Sequence, residues 1–216
     1  FLNWPERQCW AVADGVGGSD HGGEASRLLI ETLMGIPEAF SLDHHIRNIR
    51  SGLEEANHVL ASHTRWPGSA ASTIVVLLIH GDQAACLWSG DSRCYLLRDG
   101  ILYQCTHDHT LRQEKIKSGE LTVPEANRMI KGNIITNAIG GNAQIKIDEV
   151  RFTLKRGDRF LLCTDGLSNT LSGDMLSKLL GRGNAHECAD SVRNALLNYT
   201  YSDSATFVVV FLPQEA

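Results

Sequence analysis

The sequence predicts an α+β fold: a four-layer α-β-β-α sandwich, two antiparallel β-sheets flanked by helices, with a flap insertion. Three observations carry this expectation. The apolar runs at 72–79 and 160–164 are short and continuous, as in strands buried on both faces. Asp99-Gly100 stands between two such runs, which is a hairpin signal. The amphipathic helical stretches are grouped after the first strand and before the last instead of alternating with strands, which disfavours a parallel, Rossmann-like sheet.

Taken in order, Trp10-Ala11-Val12-Ala13 reads as a buried strand that ends in Asp14-Gly15. A helix is expected over 24–40, with Leu29, Leu33 and Ile36 at helical spacing and Pro37 marking its end. Ser41 is placed to cap a second helix from 42 to about 64, whose buried stripe is Ile46, Ile49, Leu53, Ala56 and Leu60. Strands follow at 72–79 and 83–88 around the Gly81-Asp82 turn, then at 93–98 and 101–106 around Asp99-Gly100, with Ser89-Gly90-Asp91-Ser92 as the tight connection. From 107 to 141 the chain turns polar and helical in short pieces, and Thr122 with Glu125 has capping-box spacing. An excursion of this length between strands is often functional. Strands resume at 145–152 and 159–164, two helices are expected at 173–180, capped by Ser172, and at 185–199, and 206–212 closes the chain as a strand.

At 216 residues, one domain spanning 1–216 is expected, and a hydrophobic fraction of 43% supports a full core. The net charge of −5 advertises no basic surface, so nucleic acid is not an expected partner. No apolar run reaches membrane-spanning length and no signal peptide is visible, which predicts a cytoplasmic protein without membrane insertion. The six cysteines, Cys9, Cys86, Cys94, Cys105, Cys163 and Cys188, form no Cys-x-x-Cys pair and lie mostly in apolar runs, as free thiols do in a reducing compartment. His44-His45 and His186-Glu187 lack the spacing of a metal site.

The chemistry points to carboxylates. Asp14, Asp165 and Asp203 each adjoin a strongly apolar strand, and each following Gly at Gly15 and Gly166 lets a ligand approach the backbone. A single Asp-Gly is an ordinary turn, but three carboxylates at strand ends repel unless a cation sits between them. Hard oxygen ligands without a matching His or Cys set suit Mg²⁺ or Mn²⁺.

Four blocks occur in order: Val12-Ala13-Asp14-Gly15-Val16-Gly17-Gly18, Ser89-Gly90-Asp91-Ser92-Arg93, Leu161-Leu162-Cys163-Thr164-Asp165-Gly166-Leu167 and Asp203-Ser204-Ala205-Thr206-Phe207-Val208-Val209-Val210. Two weaker ones are Thr106-His107-Asp108-His109 and Asn133-Ile134-Ile135-Thr136-Asn137-Ala138-Ile139-Gly140. With them the chain resembles, over nearly its whole length, the catalytic domain of the metal-dependent protein serine/threonine phosphatases of type 2C in their bacterial form. The resemblance implies hydrolysis of phosphoserine and phosphothreonine by water activated between two metal ions, Mn²⁺ or Mg²⁺, with a third, weaker ion beside them. It implies a phosphorylated protein as substrate and a cognate bacterial Ser/Thr kinase whose work is reversed. Asp14 would bridge the two ions, the Gly15 carbonyl would bind one, and Asp165 and Asp203 would hold the other. Asp108 matches a position that helps hold the third, whereas Asp91 and Arg93 are expected to be structural, hydrogen-bonding the sheet ends.

The chain departs from the family in three places. Ser19 stands where bacterial members carry a His, which makes His21 the candidate general acid. Ser204 replaces an Asn. The family's phosphate-gripping Arg and acidic segment before the first Asp-Gly are not in the chain, and Phe1 reads as the start of a domain whose N-terminal strand is truncated. The alternative function is a catalytically weak phosphoprotein-binding or regulatory domain. The flap, about 111–132, carries Lys115, Lys117 and Lys131, expected to meet the phosphoprotein substrate.

Overall fold

The computed structural model describes residues 1–17, 19–62, 68–199 and 204–212. In chain order the elements are β1 (Leu2–Trp4), β2 (Cys9–Gly15), α1 (Gly22–Met34), α2 (Leu42–Ala61), β3 (Ser72–His80), β4 (Gln83–Ser89), β5 (Arg93–Arg98), β6 (Ile101–Gln104), α3 (Leu111–Lys117), α4 (Val123–Met129), β7 (Asp148–Thr153), β8 (Arg159–Cys163), α5 (Asp165–Ser168), α6 (Gly173–Leu180), α7 (Ala185–Leu197) and β9 (Phe207–Phe211). Two sheets form, ordered β1-β2-β3-β4-β7 and β6-β5-β8-β9, and every strand pair in them is antiparallel.

Strand side chains alternate between faces, so each strand feeds two cores. Trp10, Val12, Val75, Leu77 and Trp88 meet Leu96, Phe160, Leu162, Val208 and Val210 between the sheets. The intervening Ala11, Ile74, Val76 and Leu78 pack outward on Leu29, Leu33, Ile49 and Leu53 of α1 and α2. Leu97, Leu161 and Cys163 pack outward on Leu176, Leu180, Val192 and Leu196 of α6 and α7. The four layers follow, and burial on both faces is why β3 and β8 read as unbroken apolar runs.

Helix starts follow the capping residues. Ser41 Oγ accepts from His44 N–H at 3.2 Å, Ser172 Oγ accepts from Met175 N–H at 3.3 Å, and Thr122 with Glu125 forms the capping box. α1 is shorter than expected because it stops at Gly35, whose N–H closes on the Glu31 and Thr32 carbonyls, before Pro37 is reached. α2 is described to Ala61, and its expected continuation to 64 runs outside the described residues. Strand β1 was not anticipated: three residues are too few for a periodic signal, and its place is set by pairing Leu2 with Ala11 and by Trp10 Nε1 donating to Asn3 Oδ1 at 2.9 Å. No helix among the described residues is long and apolar enough to cross a membrane.

Candidate metal centre

β2 and β8 end at the same edge of the sandwich. Asp14 and Gly15 are the last residues of β2, held against Thr73 and Ser72 of β3, and Ser72 Oγ donates to the Asp14 carbonyl at 2.9 Å. Asp165 is the first residue of α5, one residue, Thr164, beyond the end of β8. Together with Asp91, from the turn between β4 and β5, they line one cavity of about 700 Å³. Both Asp-Gly glycines are required by packing. A Cβ on Gly15 would lie 2.4 Å from the Gly22 carbonyl carbon, and one on Gly166 would lie 2.4 Å from the Ser204 carbonyl oxygen.

Asp165 is held through one oxygen: Oδ2 accepts from Asn133 Nδ2 at 3.0 Å and from Asn169 Nδ2 at 3.3 Å. Asp91 is 4% exposed, and its Oδ2 is buried with no hydrogen-bond partner among the described residues. Burial, then the charges of Asp165, Asp108 and Asp14, push its carboxyl up to about 7. A buried carboxyl oxygen without a donor, beside two further carboxylates, is destabilising until a cation arrives. Among the described residues no three His, Cys, Asp or Glu side chains are grouped tightly enough to hold an ion alone. Asp203 lies outside the described residues. A few carboxylate oxygens in a roomy cavity fit Mg²⁺ or Mn²⁺, which keep several waters as ligands.

Asp91 was expected to hydrogen-bond a sheet end, but its Oδ2 has no partner among the described residues and the residue lines the cavity. Its turn is anchored from behind by His109, whose Nδ1 accepts from Gly90 N–H at 3.1 Å and lies 2.9 Å from Asn137 Nδ2, leaving Nε2 to donate to Asp148 Oδ2 at 3.1 Å. Burial lowers the His109 pKa and favours this neutral ring. Asp108, expected beside a third ion, does not line the cavity. Arg93 takes both its oxygens, Nε to Oδ1 at 2.8 Å and the second terminal nitrogen to Oδ2 at 2.6 Å, so a bidentate guanidinium already neutralises it.

His21, the candidate general acid, is also displaced from the cavity lining. It occupies the N-cap position of α1, with its Nδ1 3.8 Å from Glu24 Oε1. Ser19 is a tether, its Oγ donating to the Ser69 carbonyl at 2.8 Å and accepting from Ala71 N–H at 3.2 Å. The flap runs alongside: α3 and α4 fall within it, and Arg112 and Gly132 reach the cavity wall from it, followed by Asn133, Ile134 and Ile135 just beyond it. Lys115, Lys117 and Lys131 do not line it, and Lys115 Nζ is paired with Glu120 Oε2 at 2.5 Å. Sequence reasoning missed Arg112, Asn133 and Asn169 as site residues. Asn169 had a legible signal, four residues after Asp165 on a helical turn.

The sequence profile described as protein phosphatase 2C matches residues 1–198. The chain belongs to the protein phosphatase 2C family. Two of its relatives are the serine/threonine protein phosphatase PstP of Mycobacterium tuberculosis, 30% identical over 207 residues, and the protein phosphatase PhpP of Streptococcus pneumoniae, 33% identical over 187 residues. The matches cover 92% of this chain and 39% of PstP, and 83% of this chain and 75% of PhpP. Among solved structures, PppA, described as a key regulatory component of T6SS in Pseudomonas aeruginosa, superposes with a TM-score of 0.85 at 34% identity, covering 98% of this chain and 89% of that one. The catalytic domain of PstP in complex with two manganese ions gives a TM-score of 0.79 at 27% identity, covering 95% and 88%. The α-β-β-α architecture expected from the sequence is that of these phosphatase 2C structures.

Proposed function

We propose that this chain is a metal-dependent protein phosphatase that hydrolyses phosphoserine and phosphothreonine esters and reverses a bacterial Ser/Thr kinase. The observation that carries the reading is the convergence of Asp14, Asp91 and Asp165 on one cavity, with a buried Asp91 oxygen lacking a donor among the described residues. Asp14, the Gly15 carbonyl, Asp165 and Asp203 would hold two Mn²⁺ or Mg²⁺ ions, and Asp108, whose charge acts on the neighbouring Asp91, would serve a third, weaker one. When bound, such ions acidify water and offset the charge of the phosphoryl oxygens.

The protein's own groups supply rigidity and access. Asn133 and Asn169 fix the Asp165 carboxylate, and His109 fixes the turn that carries Asp91. The open cavity admits a phosphorylated side chain. Cys163, the thiol nearest Asp165 in sequence, is fully buried and pushed up to about 12 by that burial, so it cannot act as a thiolate nucleophile near neutral pH. Water activated by the bound ions would serve as the nucleophile.

Hydrolysis of p-nitrophenyl phosphate or a phosphothreonine peptide is expected to require added Mn²⁺ or Mg²⁺; undiminished turnover in excess EDTA would overturn the proposal. The flap lysines do not line the cavity, so in this reading they would meet the protein around the phosphate and not the phosphate itself. Neutralising Lys115, Lys117 and Lys131 together is expected to lower kcat/KM on a phosphoprotein about tenfold while barely changing it on the aryl phosphate. Equal effects on both substrates would reject that role.

A further inference from the structure

The cavity floor is acidic, yet a phosphomonoester brings further negative charge. Among the described residues that line the cavity, Arg112 is the one basic side chain. It sits in the first turn of α3, whose start is fixed by Thr110 Oγ1 accepting from Gln113 N–H at 3.3 Å. One terminal nitrogen donates to the carbonyls of Ile130 and Gly132, both at 3.1 Å. No carboxylate pairs with it among the described residues, and its Nε is buried without a partner. Arg50, Arg93 and Arg98 are different: each closes on a carboxylate of Glu149, Asp108 or Asp158.

We propose that Arg112 binds the phosphoryl oxygens of the substrate directly, as the cationic grip of the cavity; the inference rests on the phosphatase reading above. A guanidinium has five donors in a planar fork, and the carbonyls of Ile130 and Gly132 occupy one of its terminal nitrogens. Those carbonyls hold the group in place without neutralising it, which an ion pair would do. The strap that holds it continues into Asn133, whose side chain donates to Asp165 Oδ2 at 3.0 Å. The phosphate grip and a metal carboxylate are thus spaced by one short segment, 130–133. This fixes where the phosphoryl group sits relative to the ions. A lysine would supply a point charge but not the fork.

The test uses Arg112→Gln and Arg112→Lys in the full chain. Inorganic phosphate binding is measured by calorimetry with Mg²⁺ present, alongside kcat/KM on p-nitrophenyl phosphate, Mg²⁺ affinity and melting temperature. Arg112→Gln is expected to weaken phosphate binding and lower kcat/KM by about 10- to 100-fold, with Arg112→Lys intermediate and both metal affinity and melting temperature unchanged. Phosphate affinity within twofold of the parent in both variants would overturn the inference. So would a loss matched by weaker Mg²⁺ binding or a lower melting temperature, because Arg112 would then act only by pinning the flap. A parent protein that binds phosphate through Arg112 but hydrolyses no phosphoester would overturn the phosphatase reading and leave the phosphate site standing.

Discussion

The Asp165→Asn variant is expected to lose activity on p-nitrophenyl phosphate by on the order of 1,000-fold while keeping its fold, because one anionic ligand of a catalytic cation is worth several kcal/mol. The geometry explains why the fold survives. Asp165 Oδ2 receives both Asn133 and Asn169, and an amide oxygen in the same place accepts both bonds. The amide nitrogen then replaces Oδ1, and an N–H cannot ligate a cation. Without metal the variant should melt at or above the parent, since Asp165 leads the neighbouring charges that raise the Asp91 carboxyl. Mn²⁺ titration calorimetry, steady-state kinetics and thermal melts with chelator check the three parts. Undiminished Mn²⁺ affinity together with parental kcat/KM would remove Asp165 from the metal centre. Asp203→Asn is expected to behave alike toward metal.

Gly15→Ala should be the most destabilising single methyl in the site. The added Cβ would meet backbone of Gly22 at 2.4, 2.5 and 2.8 Å, and backbone cannot rotate away as a side chain can. Either α1 shifts from β2 or β2 shifts from β3, at a cost of about 3 kcal/mol. For a chain of this size, that lowers the melting temperature by about 6–12 °C. Asp14 is the preceding residue, so metal affinity should fall with stability. Gly17→Ala is the internal control: nothing lies within 4 Å of its added Cβ, and the change should stay within about 0.5 kcal/mol. Equal melting temperatures for the two variants would show that the close approach of β2 and α1 is not a stability constraint.

Much of the molecule was legible in the sequence because its signals are local. The caps at Ser41, Ser172 and Thr122 depend on bonds spanning three residues, and each was readable as a residue type at a spacing. The central strands β3, β4 and β8 were readable because they are buried on both faces, and the helix pairs because each buries one stripe. Asp14 and Asp165 could be named together because each closes an apolar run, although nothing local shows that the runs end at one edge.

The tertiary structure decided which charges meet. Arg93 could have turned to either of two nearby aspartates. The fold gives it Asp108, fifteen positions away, and leaves Asp91 facing the cavity. His21 was named for its place after the glycine loop, but the start of α1 carries it off the cavity wall. Arg112 looked like one more basic residue of a polar flap until the fold, with the Ile130 and Gly132 carbonyls accepting from it, put it on the wall of the carboxylate-lined cavity. Secondary structure is specified by neighbours within a turn or a strand, which a sequence displays side by side. The partner of a charge is specified by distance through space, and only the packed sheets and the folded flap set that distance.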